Sequence, residues 1–160
     1  SRGRDFIPLS DELAHVTSYL TIQKVRYQST LQYQVEVEAD CMSVLAPKLI
    51  LQPIVENAIY HGLKLKEQGG VIYIRGRMDG ENLMMEVEDT GLGMLPERLR
   101  EVQREMATQS EEGNGYGLRN IHQRLMLCYG PEYGLRIESE YLLGTVVSFR
   151  IPVNLRRKTL

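Results

Sequence analysis

The chain has 160 residues, enough for one domain with a sizeable core. Hydrophobic residues make up 42% and charged residues 25%, the composition of a soluble globular protein. The formal net charge of −2 excludes generic nucleic-acid binding through a basic face, and the basic tail "RRK" at 156–158 is too short to supply one.

The two cysteines, Cys41 and Cys128, have no metal-ligand partners at suitable spacing and no disulfide framework, so a reducing compartment is expected. No apolar run approaches the ~20 residues of a membrane span, and no signal peptide is present. The chain does not begin with Met, which leaves room for a longer protein with a membrane anchor elsewhere.

In chain order, "PLSDELAHVTSYLTIQKVRY" predicts a helix, with Ser10 as N-cap, Asp11 and Glu12 in the first turn, and Leu9, Leu13, Val16 and Leu20 at helical spacing. "LQYQVEVE" alternates, with Leu31, Tyr33, Val35 and Val37 on one face of a half-buried strand. "PKLILQPIVENAIYHG" predicts a second helix on the stripe Leu51, Ile54, Val55, Ala58 and Ile59, kinked near Pro53 and stopped at Gly62. "VIYIRGRM" and "LMMEVED" are strands joined through "DGEN", where Asp79 and Gly80 signal a hairpin.

"PERLREVQREM" predicts a polar helix with few apolar anchors, and "ATQSEEGNG" a loop with almost nothing to bury. "YGLRNIHQRLMLCYG" predicts a helix with Ile121, Leu125 and Cys128 on one face. "GLRIESE" and "TVVSFRIP" predict the closing strands. This order fits an α+β protein: a two-layer sandwich whose mixed, mostly antiparallel sheet is covered on one face by helices. It argues against a regularly alternating parallel dinucleotide-binding sheet.

Three polar clusters interrupt these elements. In "ENAIYHGLK", Glu56 and Asn57 fall inside a helix with a buried face, His61 lies four residues beyond Asn57, and Lys64 follows. Amide, imidazole and ammonium groups so aligned could meet a metal–phosphate group; the plain alternative is a solvated helix face. In "VEDTGLGM", a strand ends in Asp89 and is followed by Gly91, Gly93 and Met94. In "GNGYGLRN", Gly113, Gly115, Tyr116, Gly117 and Leu118 lead into a helix whose open backbone N–H groups suit an anion; the alternative is a flexible hinge.

In this order the clusters resemble the nucleotide-binding domain of sensor histidine kinases, within the GHKL ATPases, and more narrowly the kinases with a "LQPIVENAIYHGL" helix. The resemblance covers residues 8–152. It implies an N box in which Asn57 holds Mg²⁺ between the phosphates of ATP, with His61 and Lys64 close by. It implies a G1 box in which Asp89 accepts from the exocyclic amine of adenine while Gly91, Gly93 and Met94 turn past the nucleotide. It implies a G2 box in which amides around Gly115, Tyr116, Gly117 and Leu118 meet the phosphates. Thr145 matches a family position beside the adenine.

Glu56 would activate water in a hydrolysing relative; in a kinase it would polarise the acceptor histidine or support the Mg²⁺ shell. Thr90 stands where that subfamily often has Asn. The acceptor histidine motif is absent, and His15 and His122 are expected to be solvated or structural.

The expected organisation is therefore residues 1–29 as the end of a dimerisation and acceptor region, 30–155 as the ATP-binding catalytic domain with a lid at about 94–114, and 156–160 as a tail. The whole protein would be a homodimeric kinase in the cell membrane with this domain in the cytoplasm, passing phosphate to its own histidine and on to a response regulator. The alternatives are a conformationally driven GHKL ATPase and a non-catalytic ATP sensor.

Overall fold

The computed structural model describes residues 5–27, 30–63, 68–108 and 117–153. A short strand β1 (Phe6–Pro8) leads into helix α1 (Leu9–Tyr27), which buries Leu9, Leu13, Val16 and Leu20 as its stripe predicts. Its start differs from the expected Ser10 cap. The helix begins at Leu9, and the N–H groups of Leu9 and Ser10 donate to the carbonyls of Val44 and Met42 at 2.8 and 3.0 Å. Backbone from the next segment thus replaces a capping side chain.

Strand β2 (Leu31–Val37) is followed by a 3₁₀ turn (Ala39–Cys41) and strand β3 (Leu45–Pro47), which pairs antiparallel with β1. Helix α2 (Leu51–Asn57) runs on as a π-helix over Ala58–Leu63. Two expectations change here. Pro53 sits in the first turn, where a missing N–H costs nothing, so no kink is needed there. Gly62 does not stop the helix, because the π-helical turn includes it.

Strands β4 (Gly70–Asp79) and β5 (Asn82–Asp89) form the expected hairpin, with Gly80 at φ +60° in its turn. Helix α3 (Pro96–Ala107) and helix α4 (Gly117–Tyr129) follow, then a 3₁₀ turn (Pro131–Tyr133) and strands β6 (Arg136–Glu140) and β7 (Gly144–Pro152).

The main sheet has the order β2-β4-β5-β7-β6, parallel only between β2 and β4. Ile72 and Ile74, Leu83, Met85 and Val87, and Val147, Phe149 and Ile151 are the buried members of its alternating strands. They share one core with the stripes of α1, α2 and α4. The two-layer α+β architecture is as the sequence predicts.

Strand β2 is a thin edge. Leu31 is buried and Tyr33 and Val37 pack partly buried against the core, but Val35 is 37% exposed, so the expected apolar face is interrupted there. Helix α3 is better anchored than its polar sequence suggests. Met106 is buried, Leu99 and Val102 pack against the core, and Gln103 Nε2 donates to the Ile137 carbonyl of β6 at 3.3 Å.

Candidate nucleotide site

The site starts where α2 changes pitch. Asn57 is its last α-helical residue, and the π-helical turn begins at Ala58. Widened turns of this kind recur at functional sites, since the extra residue re-aims side chains. The turn brings Gly62 against the end of β5. A Cβ on Gly62 would lie 2.8 Å from Asp89 Oδ1, and one on Gly91 would lie 2.5 Å from the Gly62 carbonyl group. The Leu92 N–H donates to the Gly62 carbonyl at 3.2 Å. These two glycines exist for close approach: helix, strand end and loop meet with no side chain between them.

Asp89 is 5% exposed, and its Oδ1 accepts the Gly91 N–H at 2.9 Å. Thr145 is its register partner on β7, and Thr145 Oγ1 lies 2.8 Å from Ser139 Oγ on β6. Thr90 closes the other side, its Oγ1 accepting the Val71 N–H at 2.9 Å. A threonine here ties the loop to β4.

The loop after Asp89 is held along the β6–β7 turn. The Leu142 N–H donates to the Leu92 carbonyl, and the Met94 N–H donates to Ser139 Oγ at 2.9 Å. Gly93 has φ +67°, and a Cβ there would strike the Glu140 carbonyl. Gly93 is thus a fixed turn residue packed against β6.

A cleft of about 380 Å³ opens beside this junction. Glu56, Asn57 and His61 of α2 line it together with Gly117 at the start of α4. Gln52 Nε2 donates to Glu56 Oε1 at 3.1 Å. Desolvation, and then the Arg98 guanidinium on α3, push the His61 imidazole below its usual pKa and so favour its neutral form.

Among the residues singled out in the sequence, Asp89, Gly91 and Thr145 thus meet at the end of β5, while Glu56, Asn57, His61 and Gly117 share the cleft. The Leu118 side chain turns instead into the core, at 4% exposure. Lys64, Gly113, Gly115 and Tyr116 lie outside the described residues. His15 is exposed, and His122 is structural, its Nδ1 accepting the Leu135 N–H at 2.9 Å.

The sequence reading missed Gly62 as a contact residue, Ser139 as the tether of Met94, and a whole wall of the cleft. That wall is Tyr19, Gln23, Arg26 and Tyr27 of α1. Their spacing of i, i+4, i+7 and i+8 was the available signal.

A sheet with a helix-lined cleft, an acid at the end of one strand and glycines at each close approach defines a class. The chain belongs to the histidine kinase-, DNA gyrase B- and HSP90-like ATPase family, whose profile matches residues 43–155. Within that family it is an ATP-binding catalytic domain of the sensor histidine kinase kind.

It is 34% identical over 146 residues to the sensor protein LytS of Staphylococcus haemolyticus, covering 91% of this chain and 25% of that protein. It is 32% identical over 151 residues to the sensor histidine kinase BtsS of Escherichia coli K12, covering 94% and 25%. The chain thus spans about a quarter of the length of these curated relatives. Among solved structures, the Acinetobacter baumannii histidine kinase AdeS shares the fold, with a TM-score of 0.67 at 14% identity over 94% of this chain and 67% of that one.

Proposed function

We propose that this domain binds Mg-ATP with adenine at Asp89 and the phosphates in the cleft beside Asn57, and that it transfers the γ-phosphoryl group to a histidine outside this chain. The observation that carries the reading is the Asp89 carboxylate, buried between Gly62 and Gly91 at the meeting point of helix, strand and loop. A buried carboxylate is a sparse, specific anchor for an exocyclic amine. Thr145 flanks it, and the Gly91, Gly93 and Met94 backbone forms the turn beside the base.

The donor set of the cleft suits Mg²⁺ that arrives with the triphosphate. Asn57 offers an amide oxygen, and among the described residues no group of three or more His, Cys, Asp or Glu could hold a metal by itself. Mg²⁺ keeps several waters and takes one or two protein ligands beside phosphate oxygens. Bound there, it neutralises phosphate charge. His61 and Lys64 would add donors, and the amides from Gly115 through Leu118 would supply N–H groups to the phosphates. Glu56 orients and polarises the incoming imidazole.

In the whole protein, residues 1–29 are the end of a dimerisation and acceptor region, and 94–114 is the lid. The kinase is a homodimer in the cell membrane with this domain on the cytoplasmic side, and a response regulator receives the phosphate. The narrower kinship with kinases carrying a "LQPIVENAIYHGL" helix belongs to the same reading.

The test is a titration with a fluorescent ATP analogue that keeps the adenine amine. Asp89→Asn presents a donor to a donor. An unpaired buried polar group costs about 1–3 kcal/mol, or roughly tenfold or more in affinity. Equal binding by mutant and wild type would overturn the adenine assignment.

A further inference from the structure

Helix α1 lies outside the residues that the family profile matches, yet it builds one wall of the cleft. Tyr19, Gln23, Arg26 and Tyr27 stand on one face of its second half and look across at Pro53, Glu56, Asn57 and His61 of α2, with Gly117 of α4 at the side. We propose that Arg26 is a further ligand of this site and meets the γ-phosphoryl group of the bound nucleotide. The inference rests on the nucleotide reading above and deepens it.

Four observations support it. First, neither Asp89 nor Thr145 lines the cleft, so the cleft takes the end of the nucleotide remote from the base.

Second, among the described residues that line the cleft, Arg26 is the one permanent cation, because His61 is held toward its neutral form. Glu56 stands on the facing helix, and Tyr19, which also lines the cleft, feels both charges. Burial raises the Tyr19 pKa, the Glu56 carboxylate raises it further, and Arg26 lowers it.

Third, the position of α1 is fixed. Val16 and Leu20 are fully buried, and Glu12, also fully buried, accepts the Ile50 N–H at 3.2 Å at the foot of α2. A helix pinned along its length presents its polar face in one register.

Fourth, the Arg26 guanidinium carbon lies 5.8 Å from the Tyr27 ring centroid, within cation–π range, and both residues line the cleft.

The chemistry matches. A planar guanidinium forks onto phosphate oxygens, and charge spreads over the equatorial oxygens of the phosphoryl group in transfer. A cation from a separate helix at this end of the triphosphate favours ATP over ADP. It also ties γ-phosphate recognition to the position of α1.

The experiment is calorimetric titration of the chain with Mg-ADP and with a non-hydrolysable Mg-ATP analogue. It compares wild type, Arg26→Ala, Arg26→Lys and Asp89→Asn, with thermal unfolding of each as the check on folding. Arg26→Ala should weaken the ATP analogue by about tenfold and leave ADP within about twofold, and Arg26→Lys should fall between. Equal losses for both nucleotides, or no loss for either, would overturn the assignment of Arg26. The underlying nucleotide reading fails separately, by undiminished binding of both ligands to Asp89→Asn.

Discussion

Gly62 and Gly91 touch each other, yet alanine at the two positions should have different effects. At Gly62 the new methyl group would sit 2.8 Å from Asp89 Oδ1 and 2.9 Å from Asp89 Cγ, against 3.4–4 Å for ordinary contact. The obstacle is a side chain, which can swing away at the expense of its hydrogen bond from Gly91. At Gly91 the methyl group would meet backbone: the Gly62 carbonyl carbon and oxygen at 2.5 Å and its Cα at 2.7 Å. Only separation of the loop from the helix relieves that clash, and the Leu92 to Gly62 hydrogen bond opposes it.

Overpacking costs about 1–3 kcal/mol, and for a chain of this size each kcal/mol lowers Tm by about 2–4 °C. Gly62→Ala should therefore fall at the low end, losing about 2–4 °C while ATP affinity drops by about tenfold as Asp89 is displaced. Gly91→Ala should fall at the high end in stability and lose affinity as well. Differential scanning calorimetry with a parallel ATP titration reads both quantities. Gly62→Ala binding ATP as well as wild type would refute the idea that the Asp89 carboxylate position governs affinity. Equal stability of Gly91→Ala and wild type would refute the close-packed junction itself.

Asn57→Ala should weaken Mg-ATP by about tenfold and adenosine by less than about twofold, read by competition with the fluorescent analogue; equal losses would remove the metal role. Glu12→Ala leaves the Ile50 N–H without its buried acceptor and should lower stability by about 1–3 kcal/mol in urea unfolding; an unchanged midpoint would mean that α1 is not held at its foot. Burial holds the His122 imidazole below its ordinary value of 6.5, so the folded chain takes up its proton at lower pH than the unfolded chain. The contribution of His122 to stability is thus full above pH 6.5 and lost as pH falls through the lower folded value, and His122→Gln should flatten that part of a urea-midpoint-against-pH curve.

The long strands were legible because their alternation is strict: Leu83, Met85 and Val87 on β5 are buried as read. Strands β1 and β3 were not, since three residues ending in proline carry no period. Asp89 stood out as an acid that ends an apolar strand just before two glycines. Gly62 was visible but misread, because a glycine near a helix end suggests a stop while its actual reason is a neighbour 27 positions away. The packing of α3 was hidden by its charges, which mask the Leu99, Val102 and Met106 face. The α1 wall of the cleft was hidden for the opposite reason. Gln23 and Arg26 look like any solvated helix face until a second helix is known to lie opposite.

The last strand in the chain order of the sheet is not at its edge. β7 lies between β5 and β6, and it brings Thr145 alongside Asp89. Synthesis adds residues at about 5–20 per second from the N-terminus, so every other described element is polymerised before the strand that closes the sheet. A nascent chain that has reached α4 already carries Asn57 and Asp89 but lacks the neighbour that completes the site. The pairing of Thr145 with Asp89 therefore forms only after β7 has been synthesised. A message truncated before Gly144 yields a product that leaves β5 unpaired along one side, an open strand edge.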